Sequence, residues 1–328
     1  MVSRFSERNA EEFLKVGFTV IDNAFPVDFC MKLKSEIDSL YKSGLLYLNK
    51  TYLEGKMENK FTYSNAVAKP NIYELDLVSI IKKDKEAPLP LATEEKAYAV
   101  ESRCAIPHLR ALYREPALLD LWNEHLPTLG LDWMDLKVQY NKGEGACFPM
   151  HFDTTPAVSR RQVTCILYLN AGWSAASGGE LRVFPFPYQP VDIAPVLGRL
   201  VMFSSHQLLH RVLPSQLPRY CVTLWLDGSN FGQLFPGTFP WVEGIPWVMN
   251  RENRKIIARL VHGGEWEESI LASFKEEDTE QMVKSHQEQL VAIRKKLGDK
   301  LVEFLSENLP LAHEHNFIEH CSLLRSGK

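Results

Sequence analysis

Four polar side chains in this 328-residue chain have the types and spacing for redox chemistry at a metal: His151, Asp153, His210 and Arg219. His151-Phe152-Asp153 closes a β-like segment. Residues two apart on a strand point to the same face, so both side chains can address one point. A second imidazole from a distant strand would complete a set of two histidines and one carboxylate. On one octahedral face such a set holds iron(II) and leaves three positions for a chelating co-substrate and dioxygen. His210 is the candidate, and His206, four residues earlier, is its rival. His210 is preferred because Arg219 lies nine residues after it, opening the run Arg219-Tyr220-Cys221-Val222-Thr223-Leu224-Trp225. A guanidinium fork grips a carboxylate bidentately. Metal chelation at a keto-acid end and such a grip at the far end together define 2-oxoglutarate.

Taken singly, these signals are weak. With 10 histidines and 41 acidic residues, chance supplies on the order of one His-x-acid match. His286-Gln287-Glu288 is such a match; it falls in a segment expected to be helical, where i and i+2 do not face each other, and is read as solvated surface. An arginine at a strand start is most often surface charge; its place after a histidine ligand reverses that preference. Burying all four groups without a metal and an anion would be costly.

These residues need a β scaffold, and the texture supplies one. From Leu131 onward, Asp132–Tyr140, Val163–Leu169, Glu180–Phe184, Leu200–Phe203 and Tyr220–Leu226 are β-branched or aromatic runs. Gly143-Glu144-Gly145, Gly178-Gly179, Pro-rich loops and Gly198 separate them. Short strands at this spacing predict a β-sandwich or barrel. Ahead of it, a helix is expected from about Asn9, with Glu12 as capping-box partner and Gly17 as its stop. A strand Phe18–Ile21 follows, then a helix after Pro26 with Cys30, Leu33, Ile37 and Leu40 on one face and Gly44 at its end. Residues 45–95 read as long loops around short strands. Helical periodicity returns over Cys104–Glu124, with Leu109, Leu112, Leu118 and Leu121 apolar. After Gly228 a turn-rich stretch holds Trp241 and Trp247, and a helical tail is expected from near Asp278. There Leu290, Ile293, Leu297, Leu301 and Phe304 form a stripe that would serve self-association or pack on the chain's own barrel. Its short length favours the second reading. The expected organisation is an oxygenase-like domain over 1–230, with its β core at about 131–228, and a turn-rich then helical extension over 231–328.

Composition excludes several classes. At 45% hydrophobic and 24% charged, the chain can bury a substantial core. A net charge of −4 gives no global attraction to nucleic acid, so no nucleic-acid partner is expected. The opening MVSRFSERNAEEFLKVGF lacks the apolar run of a signal peptide, and no run has the roughly 18 apolar residues of a membrane span. The six cysteines, Cys30, Cys104, Cys147, Cys165, Cys221 and Cys321, form no CxxC pair and are expected to be reduced. An intracellular protein, cytoplasmic or nuclear and without membrane contact, is expected.

The run HFD, RRQVTCILYLN, GGELRVFPF, HRVLP and RYCVTLWLDG resembles the 2-oxoglutarate-dependent prolyl hydroxylases, most of all the oxygen-sensing type that modifies hypoxia-inducible transcription factor. The resemblance implies a mainly β fold, a double-stranded β-helix (jelly-roll) core with flanking helices, here with a C-terminal helical extension. It implies His151, Asp153 and His210 as iron(II) ligands and Arg219 as the 2-oxoglutarate anchor. Tyr168 matches a tyrosine whose hydroxyl helps bind 2-oxoglutarate, and Tyr140 one lining the site near the metal. Leu181 and Val212 match apolar walls, Trp225 an aromatic beside the pocket, and Arg161 an arginine near the substrate channel. The implied reaction uses dioxygen, decarboxylates 2-oxoglutarate to succinate, and hydroxylates a prolyl residue of a protein or peptide, with ascorbate as supporting reductant. The stretch Leu53–Lys85 lacks the motif of the mobile loop that oxygen-sensing enzymes carry before the core. Two alternatives therefore stand beside the prolyl reading: an oxygenase of a small molecule or another residue, and a non-catalytic jelly-roll binding module.

Overall fold

The computed structural model describes residues 5–57, 60–77, 104–154, 159–228 and 251–311. In chain order the elements are α1 (Glu7–Val16), β1 (Phe18–Ile21), α2 (Val27–Lys42), β2 (Tyr47–Met57), β3 (Lys60–Asp76), α3 (Pro107–Arg114), α4 (Ala117–His125), β4 (Leu131–Asn141) and β5 (Ala146–His151). There follow β6 (Arg161–Tyr168), β7 (Leu181–Phe184), β8 (Val191–Ile193), β9 (Leu200–Ser204), β10 (Leu209–Ser215) and β11 (Arg219–Gly228). Four helices come last: α5 (Arg251–Val261), α6 (Gly263–Ser273), α7 (Glu276–Leu297) and α8 (Asp299–Asn308).

The strands form two sheets in which the paired strands run antiparallel. The large one has seven strands in the order β1-β9-β6-β11-β4-β3-β2, the small one four in the order β5-β10-β7-β8. Strand alternation sorts the large sheet's side chains between two faces. One face, with Leu136, Val138, Tyr140, Tyr220, Val222 and Leu224, packs on Phe13, Leu33, Ile37, Leu40, Leu109 and Trp122 of the four N-terminal helices. The other face, with Ile166, Tyr168, Val201, Phe203 and Cys221, packs on Leu181, Val183, Val191, Ile193 and Val212 of the small sheet. Two antiparallel sheets flanked by helices match the expected jelly-roll class, and a helical C-terminal extension is present.

Several local expectations change. Within 45–95, read as long loops around short strands, Tyr47–Met57 and Lys60–Asp76 are two long paired strands that extend the large sheet. Their inward residues Asn49, Lys69 and Glu74 are polar, buried and hydrogen-bonded to one another, so the apolar alternation that marks a strand is missing. Residues 78–95, Trp241 and Trp247 lie outside the described residues. Helix α1 is capped by Ser6 and Asn9, while Glu12 instead accepts from Thr19 at 2.7 Å. The 104–124 region is two helices divided at Glu115-Pro116. The C-terminal helices begin at Arg251, well before Asp278. Within them Leu297 and Leu301 pack on Ile257, Val261 and Leu305 of the same chain, so this part of the stripe is turned inward, while Phe304 is exposed. His286 is not solvated surface: it is 1% exposed, 2.9 Å through Nε2 from the Gly263 carbonyl oxygen and stacked on Trp266.

Candidate active site

Strands β5 and β10 pair with His151 directly opposite His210, so the register alone makes the two imidazoles neighbours, 4.3 Å between ring centroids. Asp153 follows two residues past the end of the strand. Its Oδ1 lies 3.4 Å from His151 Nε2 and 3.5 Å from His210 Nε2, and the donor atoms of all three residues lie within 4.8 Å of one another. A cation about 2 Å from each donor could bridge such spacings. The rings are oriented for this: His151 Nδ1 is 2.8 Å from the Pro149 carbonyl oxygen and His210 Nδ1 is 3.1 Å from that of Leu208. A carbonyl only accepts, so each ring carries its proton on Nδ1 and presents the Nε2 lone pair to the centre. The other Asp153 oxygen accepts from the Thr164 hydroxyl at 2.5 Å, which turns Oδ1 toward the imidazoles. Burial alone would push the Asp153 carboxyl up. When no cation is bound, hydrogen bonding and charge from His151 and His210 outweigh that and hold it well below the usual carboxylate range; a cation held at the two Nε2 atoms would act in the same direction.

Arg219 begins β11 and is 3% exposed. Its Nε donates to the Gly179 carbonyl at 2.9 Å and its Nη1 to Cys221 Sγ at 3.5 Å. Among the described residues no carboxylate lies within ion-pair distance of it. The guanidinium carbon sits 5.0 Å from the centre of the Tyr168 ring, whose fully buried hydroxyl has no partner within hydrogen-bond geometry other than an interaction with that guanidinium. A buried cation and a buried hydroxyl side by side, both short of partners, fit a carboxylate ligand. Gly179 makes room for this arrangement. Its φ is +78°, and a Cβ there would come within 2.9 Å of Arg219 Cδ.

One cavity of about 120 Å³ joins the two parts. His151, Asp153, His210 and Arg219 line it, with Leu181, Val212, Phe148, Phe203, Ile166, Thr164, Thr223, Cys221 and Trp225. Leu181, Val212 and Trp225, expected as apolar walls and a pocket-side aromatic, are among these lining residues. Arg161 lies at the same end, its guanidinium 3.8 Å from the Trp225 ring centre, whereas Arg160 pairs with Asp132 at the surface. His206 is fully buried but is not in the triad.

Tyr140 requires correction. On β4 it is Lys137 and Gln139 that line the cavity. Tyr140, one residue out of phase, points to the helical face, 4.4 Å in ring centroids from Tyr41 and 4.9 Å from Tyr220. The sequence reading missed Gln139, Thr164 and the chain of Asn49, Glu74 and Lys137 that borders the cavity, with Glu74 3.0 Å from Lys137. A signal existed: Glu74, Gln139, Cys221 and Tyr168 form one cross-strand row, and Asp135, Trp225, Thr164 and Phe203 another. Counting by twos from Arg219 finds Cys221, Thr223 and Trp225; the Gln139 and Thr164 positions follow once the strand register is known.

Comparison with known proteins agrees with this geometry. The family model described as the 2OG-Fe(II) oxygenase superfamily matches residues 137–227. The human protein "Egl nine homolog 1" is 43% identical over 86 residues, 25% of this chain and 20% of its own. Human "Prolyl hydroxylase EGLN3" is 40% identical over 86 residues, 25% of this chain and 36% of its own. The match thus spans from a fifth to about a third of those relatives. A solved prolyl 4-hydroxylase from Phytophthora capsici superposes with a TM-score of 0.68 at 28% identity, covering 92% of this chain and 90% of that one. Residues 137–227 thus match the 2OG-Fe(II) oxygenase superfamily, and the chain is similar to proteins described as prolyl hydroxylases.

Proposed function

We propose that the chain is an iron(II)- and 2-oxoglutarate-dependent dioxygenase that hydroxylates a prolyl residue of an intracellular protein. The observation that carries this is the pairing, in one cavity, of a convergent His-Asp-His set with a buried guanidinium that has no carboxylate partner among the described residues. His151, Asp153 and His210 would hold the metal. Arg219 and Tyr168 would hold the distal carboxylate of 2-oxoglutarate, with Leu181 and Val212 as walls. Iron(II), when bound, supplies with dioxygen and 2-oxoglutarate the oxidising power for hydroxylation, with release of succinate. The chain's own residues orient and enclose. The carbonyls of Pro149 and Leu208 fix the imidazole tautomers, Thr164 fixes the carboxylate, and Phe148, Ile166 and Phe203 supply apolar walls. Trp225 and Arg161 border the substrate side, six residues or about 20 Å along β11 from Arg219.

The prolyl target is supported by the names of the relatives and of the Phytophthora capsici structure. Ascorbate serves as the reductant that maintains iron(II). A cytoplasmic or nuclear setting agrees with the unbridged Cys30, Cys104, Cys147, Cys165 and Cys221. No helix among the described residues is long and apolar enough to cross a membrane. We regard 1–230 as the oxygenase domain and 231–328 as an extension, of which the described helices α5 to α8 pack on it.

The test is incubation with iron(II), 2-oxoglutarate and ascorbate against proline-containing peptides, with the added oxygen located by fragmentation mass spectrometry. Oxygen on proline is expected. Oxygen on another residue, or on a co-purifying small molecule, would replace the prolyl target while leaving the oxygenase.

A further inference from the structure

Strand β5 carries His151 at its end, yet it is the edge of the small sheet and pairs with β10 alone. An edge strand leaves every second backbone N–H without a ladder partner. Helix α6 covers this edge. The Ser269 hydroxyl oxygen accepts the Met150 N–H at 2.9 Å and gives its own proton to the Trp266 carbonyl at 2.6 Å. One turn on, the Ser273 hydroxyl donates to the Ser269 carbonyl at 2.7 Å and lies 3.3 Å from Cys147 Sγ. The Cys147 thiol is 3.2 Å from the Ala272 carbonyl. Cys147, Met150, Ser269 and Ser273 are all 3% exposed or less.

The Met150 N–H and the Pro149 carbonyl belong to one peptide unit. That carbonyl is the acceptor for His151 Nδ1. A continuous chain thus runs from Ser269 Oγ to the Met150 N–H, through the rigid peptide plane to the Pro149 oxygen, and on to the His151 ring. The apolar side of Met150 is fixed by the same helices, packed with Ala258, Trp266, Ile270 and Phe274.

We infer that Ser269 is a positioning residue for the metal centre: it holds the peptide whose carbonyl sets the tautomer and angle of His151. The C-terminal helices, which lie beyond the family-matched residues 137–227, thereby form part of the site. Polarisation along the chain strengthens the effect, because an N–H that donates makes the carbonyl of its own peptide a better acceptor. The inference rests on the reading of His151, Asp153 and His210 as metal ligands.

Cobalt(II) titration under anaerobic conditions, followed by calorimetry, tests it on the full chain. Ser269→Ala is expected to weaken cobalt(II) binding about 10-fold, in the range for partners that orient a ligand, while 2-oxoglutarate affinity at saturating cobalt(II) stays near wild type. Ser306→Ala removes a similar hydroxyl, bonded to the Val302 carbonyl on α8 at 2.8 Å, and is expected to change neither value. Wild-type affinity in a folded Ser269→Ala protein, or an equal loss in Ser306→Ala, would overturn the inference. If Ser269→Ala does not fold, amide exchange of the wild-type chain decides. By linkage, cobalt(II) must slow exchange at Met150 and across Ser269–Phe274; protection confined to other segments overturns the proposal. Failure of wild type itself to bind cobalt(II) would instead strike the metal reading beneath it.

Discussion

Arg219→Gln separates binding from folding. In the wild-type chain Nε is used on the Gly179 carbonyl and Nη1 meets Cys221 Sγ, which leaves Nη2 and the remaining Nη1 hydrogen to grip a carboxylate. Loss of a buried, charge-assisted bidentate pair costs about 3 to 4 kcal/mol, or roughly 10²- to 10³-fold in affinity. Without the ligand the sign differs. The substitution removes a 3%-exposed cation that has no carboxylate partner among the described residues, so folding stability is expected to hold or rise by about 1 kcal/mol. The assay is anaerobic titration of 2-oxoglutarate into the cobalt(II)-loaded proteins, with thermal unfolding alongside. At 2-oxoglutarate 100 times the wild-type Kd, wild type gains about 2.7 kcal/mol, whereas a variant bound about 300-fold more weakly gains about 0.2 kcal/mol. A folded Arg219→Gln protein that binds within about 3-fold of wild type would refute the assignment of the anchor.

Two further outcomes follow from the same structure. Gly179→Ala puts a Cβ 2.9 Å from Arg219 Cδ at a backbone φ of +78°; it is expected to weaken 2-oxoglutarate binding at least about 10-fold and to cost about 1 to 3 kcal/mol of stability. Metal affinity is expected to be unchanged, and parallel titrations of metal and co-substrate would show the split. His262 concerns stability rather than the site. Its ring packs 4.7 Å from Phe184, and burial pushes the imidazole down to about 4, with Glu265 pulling the other way. The unfolded chain keeps the ordinary value near 6.5, so between the two values it binds more protons than the folded chain, and stability falls as pH drops through that window. The loss is about 2 kcal/mol by pH 5. Urea unfolding at pH 7 and pH 5 would measure it, and an equal slope in His262→Phe would show that another group is responsible.

What the sequence revealed depended on how strongly local chemistry governed each segment. The β core was legible because Val163–Leu169 and Tyr220–Leu226 are long β-branched runs buried on both faces, which leaves few alternatives. The triad was legible because His-x-Asp at a strand end, a later histidine and a following arginine are jointly rare. The β2–β3 hairpin was not, since Asn49, Lys69 and Glu74 satisfy one another inside the protein and a polar inward face imitates a loop. Tyr140 failed for another reason. Resemblance aligned a tyrosine, but a shift of one residue on a strand reverses the face, and Gln139 occupies the cavity. His286 was misjudged because helical spacing rules out pairing with Glu288 but says nothing of which face the helix buries. The seam between α6 and β5 joins residues 119 apart, a contact no local pattern encodes.

The most direct test of the central claim is succinate formation from 2-oxoglutarate by the purified chain with iron(II) and ascorbate, measured beside His151→Ala. Turnover uncoupled from substrate makes the assay independent of the target. Succinate from wild type and none from the variant is the predicted result. Equal succinate from both would contradict the assignment of the metal centre, and silence in both together with no anaerobic binding of iron(II) or 2-oxoglutarate would leave a binding module in place of an oxygenase.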